Sequence, residues 1–347
     1  MIHIKLKNSI QNLIIPENEL CFNIKLVHQI KVKLFKPDDN YLEKSKSFDT
    51  AFCSAELSIE PNNKNYKIFD NIIKNKVVET TEGLSSYTIM PKNNVKIIIP
   101  NVNYFPEHFG SFVNQLSEEL SEAIKMTINN LRWLCDIRGK HNPFSHMDFL
   151  FSIDKINWYP IPASHSIEME ILNPNLNLNK KIEDTINELL INKTIEPVYH
   201  SLYREAWELK SYNPRSSLVI AITSVEVAVK NLIVKIAPET TWLILNIQSP
   251  PIYNIFVDYL PKLSIDNGIK ILLPPKPIID NLKIWISQRN ELTHLGKEKL
   301  KGAKLKEMLL AVKDILHIID YNCGHKWALN YISEETLLEL GINTNNI

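Results

Sequence analysis

The chain has 347 residues, 44% of them hydrophobic and 22% charged, and Lys plus Arg and Asp plus Glu each total 39. That length exceeds one comfortable core and suits two domains of roughly 100 to 200 residues, while the composition excludes an intrinsically disordered chain. Zero net charge excludes a global field drawing the chain to a polyanion or a membrane surface, so any such site has to be a local patch.

Lysine greatly outnumbers the five arginines, and Asn and Ile are abundant, the bias of an AT-rich genome. Lysine clusters therefore carry less meaning here than usual. Cys21, Cys53, Cys135 and Cys323 lie far apart without a Cys-x-x-Cys spacing, which argues against a zinc site and against a secreted disulfide framework. A reducing cytoplasm fits that usage. The opening MIHIKLKNSI lacks the apolar block and small-residue end of a signal peptide.

Residues 1–172 read as a β-rich domain with one long helix. Apolar side chains alternate at Leu20, Phe22, Ile24, Leu26, Ile30, Val32 and Leu34, with His28 the one break, and again from Ala51 to Ile59. The runs YTIM and VKIII add short strands bounded by Pro91 and Pro100. The period then changes: Val113, Leu116, Leu120, Ile124, Ile128, Leu131 and Leu134 mark a helix closed near Gly139. Phe149, Phe151 and Ile153 alternate up to Asp154-Lys155, with Ile156 and Trp158 beyond, the pattern of a hairpin.

The Asn-rich NPNLNLN at 173–179 is expected to be a linker. Beyond it the period is helical throughout, which makes the chain α+β: a helical domain over 180–332 and a tail over 333–347. Helices are expected at 181–211, 214–237, 277–294 and 300–331. The stretch from Leu218 to Ala237 is apolar, but Glu226, Lys230 and Lys235 interrupt it, so it reads as a buried helix rather than a membrane span. Between the second and third helices, Pro238, Pro250, Pro251, Pro261, Pro274 and Pro275 mark an irregular insertion.

In the third helix the apolar stripe runs Ile278, Leu282, Trp285, and the next positions at that spacing are Arg289 and Leu292. A guanidinium where a core residue is expected is costly unless an anion or a carboxylate satisfies it. His294 follows five residues later, and Leu295-Gly296 supplies a terminator. Five residues rotate a side chain by roughly 140° on an ideal helix, so the pair is expected to converge only if the helix ends between them.

The segment RNELTH resembles the Arg-x(4 to 6)-His motif of the HEPN superfamily, the higher eukaryote and prokaryote nucleotide-binding helical domains. SSLVIAITSVEVAVKNLI is similar to that family's second helix. The resemblance covers about 180 to 332 and lies nearest the bacterial abortive-infection, Apea-like branch. It implies a four-helix bundle that dimerises with two Arg/His motifs facing one groove, and a metal-independent endoribonuclease acting in a bacterial defence or toxin–antitoxin system. Arg289 and His294 match the catalytic pair, Asn290 the adjacent polar residue and Glu226 the acidic residue of the second helix. The insertion departs from the pattern. So does Gly296, where one antitoxin-regulated subgroup has tyrosine, so tyrosine modification is not expected.

The implied chemistry needs no metal and no cofactor. Histidine takes the proton from a ribose 2'-hydroxyl or gives one to the leaving oxygen, arginine stabilises the phosphorane, and Asn290 orients the phosphate or the imidazole. Lys297, Lys299 and Lys301, followed by Lys304 and Lys306, are candidate RNA contacts or simply a solvated lysine-rich helix start. Glu226 pairs with Lys230 on its own helix or with Arg289, at even odds. His141, His146, His317 and His325 read as loop or surface histidines. The expected partners are RNA, with transfer RNA among the candidates, a second copy of the chain, and a trigger or antitoxin of unknown kind; no membrane is expected. The competing reading is a HEPN-like domain that binds RNA or a nucleotide without cutting it, or serves as a dimerisation scaffold.

Overall fold

A computed structural model describes residues 1–11, 19–36, 50–74, 87–92, 95–100, 106–137, 145–161, 180–247, 250–266, 268–295 and 302–342. The expected linker at 173–179, Gly296, Lys297, Lys299, Lys301, His141 and the last five residues of the expected tail lie outside these. The chain divides into two compact units, Met1–Arg132 with Asn142–Ile195 and Trp133–His141 with Glu196–Ile347.

The first unit is built on an antiparallel sheet. Its strands are β1 (Ile2–Gln11), β2 (Leu20–Lys25), β3 (Gln29–Phe35), β4 (Thr50–Ile59), β7 (Ser145–Ser152) and β8 (Tyr159–Pro160), in the order β2-β3-β4-β1-β7-β8. β5 (Tyr87–Lys92) and β6 (Val95–Pro100) form a separate antiparallel pair. Two helices accompany them, α1 (Asn63–Ile73) and α2 (Glu107–Leu134), the latter's last two residues belonging to the second unit. The alternating pattern works as its period requires: Ile2, Ile4, Leu6, Phe22, Ile24, Ile30, Val32, Leu34, Cys53 and Ala55 are buried, while the intervening lysines face the other side. On the buried side Phe69 of α1 meets Phe109 of α2 at 5.1 Å and Phe151 of β7 at 4.7 Å between ring centroids. These rings join both helices to the sheet.

Three features escaped the sequence reading, the first being helix α1, since only one long helix was expected in this region. β1 is the central partner of β4 and β7, and its alternating Ile2, Ile4, Leu6 is as regular as that of β2. Helix α3 (Lys180–Ile191), expected to open the helical domain, belongs instead to the sheet unit. Its Glu183 and Asn187 side chains accept from the backbone N–H of Cys21 and Asn23 at 3.1 and 3.0 Å, and Asn187 Nδ2 donates to Cys21 O. β2 is an edge strand, and the helix satisfies the hydrogen-bonding groups such an edge leaves open. The expected helix 181–211 therefore breaks. Lys193 takes the left-handed conformation (φ 52°), with Lys193 N–H bonded to Leu190 O and Thr194 N–H to Leu189 O, the pattern of a helix stop, and Pro197 cannot continue an inherited helix.

The second unit sets four helices around one apolar core: α4 (Val198–Leu209), α5 (Pro214–Ile236), α9 (Lys276–Leu295) and α10 (Ala303–Asn322). Asn213 caps α5 by accepting from Ser216 N–H, with Pro214 in the first turn, and Ser217 Oγ donates to Ala206 O across to α4. α5 is long and apolar enough to cross a membrane, but 56% of that stretch is buried inside the protein, as befits a core helix. α10 ends at a left-handed Gly324 (φ 99°), with His325 N–H bonded to Asp320 O and Gly324 N–H to Tyr321 O. The irregular insertion carries α6 (Thr241–Asn246), α7 (Ile252–Asn254), a π-helical turn (Ile255–Tyr259) and α8 (Leu260–Asp266). A short helical segment at Lys326–Tyr331 precedes α11 (Glu334–Glu339), which lies in the expected tail. All four cysteines are free thiols, and burial pushes Cys323 up to about 11 and Cys135 to about 12.

Because Phe69 carries the contacts between both helices and β7, Phe69→Ala is expected to cost about 3–5 kcal/mol through lost burial and a residual cavity. A urea titration followed by circular dichroism checks this; an unchanged midpoint would mean the ring cluster does not hold the unit together.

Candidate active site

The helical period puts Leu282, Trp285 and Arg289 on the buried stripe of α9 and Lys283, Ile286, Asn290 and His294 on an adjacent face. Arg289 finds the carboxylate that its position demands. Its Nη2 donates to Glu226 Oε1 of α5 at 2.5 Å, with the side chains only 14% and 12% exposed. The alternative helix pair of Glu226 with Lys230 does not form; Lys230 Nζ instead donates to the carbonyl of Ile247, tying α5 to the insertion. One bond from Nη2 engages a fraction of the five N–H donors of a guanidinium.

Arg289 and His294 share a cleft of about 370 Å³, although α9 does not end between them. It continues through Leu295, and Thr293 Oγ1 bonds back to the carbonyls of Arg289 and Asn290 within the helix. What closes the 140° gap is the reach of arginine, whose head group lies at the floor beside Glu226. Asn290 and His294 are exposed, and Lys283 lies along the same face. The opposite wall is Pro250, Pro251, Ile252, Tyr253 and Asn254, supplied by the insertion, and Lys283 Nζ sits 4.6 Å from the Tyr253 ring centroid. Among the described residues three side chains able to carry positive charge thus line the cleft against one carboxylate, and His294 stands in the last turn of α9, where a helix favours a cation.

Sequence reasoning found Arg289, Asn290, His294 and Glu226, which the cleft brings together. It missed Lys283, Tyr253 and the proline wall. The i, i+3, i+7, i+11 spacing from Lys283 to His294 was available as a signal; the insertion carried none. Lys304 and Lys306 are exposed at the start of α10.

A second polar constellation is fully internal. Asp320 of α10 has no exposed surface and accepts from Trp133 Nε1 at 3.0 Å, Tyr199 Oη at 2.6 Å and His200 Nε2 at 2.6 Å. His317, expected in a loop or at the surface, belongs to this interior, whereas His325 lies as expected in a loop, half-buried beside it. His317 stacks near His200, with 5.4 Å between ring centroids, and donates from Nδ1 to Lys313 O. His325 lies 4.7 Å from Trp133. Burial opposes the charge on Asp320, but His200 and the donated hydrogen bonds outweigh it and hold the carboxyl below its usual range. Burial also lowers His317 and His325 below the ordinary 6.5. Among the described residues no group of three His, Cys, Asp or Glu side chains is arranged to hold a metal ion. With Asp320, Trp133, Tyr199 and His200 all buried, this network orders the helices.

Comparison with protein-family models, with curated proteins and with solved structures finds no match for this chain.

The buried histidines make stability depend on pH. A histidine held neutral in the fold gains its proton more readily when unfolded, so stability is full above about pH 6.5 and is lost as pH falls below it. Asp320, shifted downward, keeps its contribution until pH falls below the ordinary carboxylate range. The urea midpoint is expected to drop between pH 7.5 and 5.5, with a smaller drop in His317→Gln; equal midpoints at both pH values would contradict a neutral buried pair.

Proposed function

We propose that the helical unit is a metal-independent endoribonuclease of HEPN type, an effector of a bacterial defence or toxin–antitoxin system. The observation that carries the reading is the single open cleft that holds Arg289, Asn290 and His294 with His294 exposed rather than packed away. The four-helix core supports it further, with the motif late in one helix and the acidic residue on another.

In this reading His294 exchanges the proton of the ribose 2'-hydroxyl or of the leaving 5'-oxygen, chemistry worth roughly a hundred- to ten-thousand-fold. Arg289, oriented by Glu226, directs its remaining donors to the charge on the phosphorane. Asn290 orients the phosphate, and Lys283 sits where a neighbouring phosphate would pass. DNA lacks the attacking hydroxyl and is not cut. Lys297, Lys299 and Lys301 contribute further phosphate contacts. The ion pair of Arg289 with Glu226 favours a second reading, because a partly neutralised arginine suits a site that binds RNA or a nucleotide without cleaving it.

His294→Ala separates the two. It removes an exposed side chain at a helix end at a stability cost of no more than about 1 kcal/mol, and it is expected to lower RNA cleavage by roughly two to four orders of magnitude. Arg289→Ala is expected to do the same at greater cost to folding, since it strands Glu226. The assay uses total and transfer RNA in chelator, at equal folded protein by circular dichroism. Equal cleavage by wild type and His294→Ala ends the catalytic reading.

A homodimer formed through the helical unit accompanies this proposal. Ile284 and Leu295, 52% and 63% exposed, lie eleven residues apart on α9 and so on one face, beside the cleft. Light scattering is expected to give twice the chain mass at micromolar concentration, and Ile284→Glu to give the monomer. A monomeric wild type would remove the composite groove.

A further inference from the structure

The open face of the sheet unit carries a cationic groove unrelated to the Arg289 cleft. Because side chains alternate along a strand, the residues paired across β1, β4 and β3 on this face are His3 with Ser58, Lys5 with Glu56, and Lys31 with Glu56. His3, Lys31, Glu56 and Ser58 border a shallow cleft of about 420 Å³, around which Lys25, Lys31 and Lys155 are exposed. Among the described residues Glu56 is the one carboxylate lining it, and Lys5 already holds Glu56 at 2.8 Å. Among the described residues Lys31 and Lys155 form no ion pair. Asn23, Gln29 and Ser58 add neutral hydrogen-bonding groups to the rim.

The backbone that presents Lys155 is held in place. Lys155 occupies the left-handed position (φ 63°) of the β7–β8 turn, and Asp154 locks that turn by accepting from Ile156 N–H, Asn157 N–H and Asn157 Nδ2. Those bonds hold the Asp154 carboxyl far below the usual range, so it stays an acceptor of the turn. Beyond the cleft Lys33 follows Lys31 and Lys7 follows Lys5 at two-residue steps of roughly 6.8 Å, with Lys33 paired to Glu19 at 2.7 Å. Lys5 and Lys7 lie over the rings of Trp158 and Phe52 at 3.8 and 3.9 Å. In a chain of zero net charge, this cleft thus gathers three exposed lysines, Lys25, Lys31 and Lys155, while Lys5 and Lys33 are paired with Glu56 and Glu19.

We propose that this face binds a single-stranded polynucleotide along its phosphodiester backbone, with Lys25, Lys31 and Lys155 as the principal phosphate contacts. Charge complementarity selects the occupant: the cluster of exposed Lys25, Lys31 and Lys155 matches a strand with one negative charge per nucleotide, and the neutral rim groups match sugar and base edges. The inference stands apart from the cleavage reading, since it concerns the other unit.

The test is fluorescence anisotropy of a labelled uridine 20-mer RNA with the full chain, in a His294→Ala background that preserves the probe. Lys25→Glu/Lys31→Glu/Lys155→Glu is expected to weaken binding by about tenfold or more and to flatten the salt dependence by about two in logarithmic slope. The same charge change on the helices, Lys64→Glu/Lys67→Glu/Lys125→Glu, is expected to weaken it far less. Lys→Gln at the three sheet positions gives the answer should the charge reversal not fold. Equal losses in the sheet and helix variants, unchanged binding in the sheet variant, or binding to phosphatidylserine vesicles without binding to RNA would overturn the proposal. Cleavage by the wild type is scored separately: sheet-dependent binding with no cleavage overturns the nuclease reading alone, and cleavage with sheet-independent binding overturns this one alone.

Discussion

A carboxylate with no exposed surface has to be met by donors on every side, and in the helical unit Asp320 imposes that condition on its neighbours. Tyr199 and His200 come from the first turn of α4, Trp133 from the segment 133–141, and the left-handed Gly324 turns the chain after α10 so that His325 returns beside Trp133. An apolar core accepts many small rearrangements at modest cost, but three hydrogen bonds to one buried charge accept almost none. Loss of one partner leaves the others with a buried charge or an unpaired donor. The register of α4 against α10 follows from this single group.

Arg289 obeys the same rule in a milder form, and the difference is what makes a site. Placed on the buried stripe of α9, it takes Glu226 from α5 as its counter-charge, but one side of its head group opens on a cleft. Asp320 is surrounded and spent on structure. Arg289 retains donors beside an exposed histidine, an amide and a lysine, in a space walled by prolines whose fixed backbone resists closure.

The sheet unit divides its labour between two faces. One buries the apolar alternation and the Phe69 ring cluster under α1 and α2, while α3 occupies the hydrogen-bonding edge at β2. The other face carries the intervening polar side chains, with Lys5 paired to Glu56, Lys33 to Glu19 and His3 bonded to Ser58. A single period-two pattern therefore specifies both the packing side and the charged side.

Local periodicity was enough to read the α+β class, strands β2 to β4, the β7–β8 hairpin, helices α2, α5 and α9, and the position of Arg289 on an apolar stripe, because each depends on residues within one or two turns of each other. The sequence also narrowed the partner of Glu226 to two residues without choosing between them. Tertiary structure decided the rest. The choice of Arg289 spans 63 positions and the bond from Trp133 to Asp320 spans 187. The assignment of α3 to the sheet edge depends on two backbone N–H groups of β2, which no side-chain pattern in α3 reveals. His317 read as a loop or surface histidine because burial is a property of what surrounds a residue, and its surroundings come from segments far away in the chain.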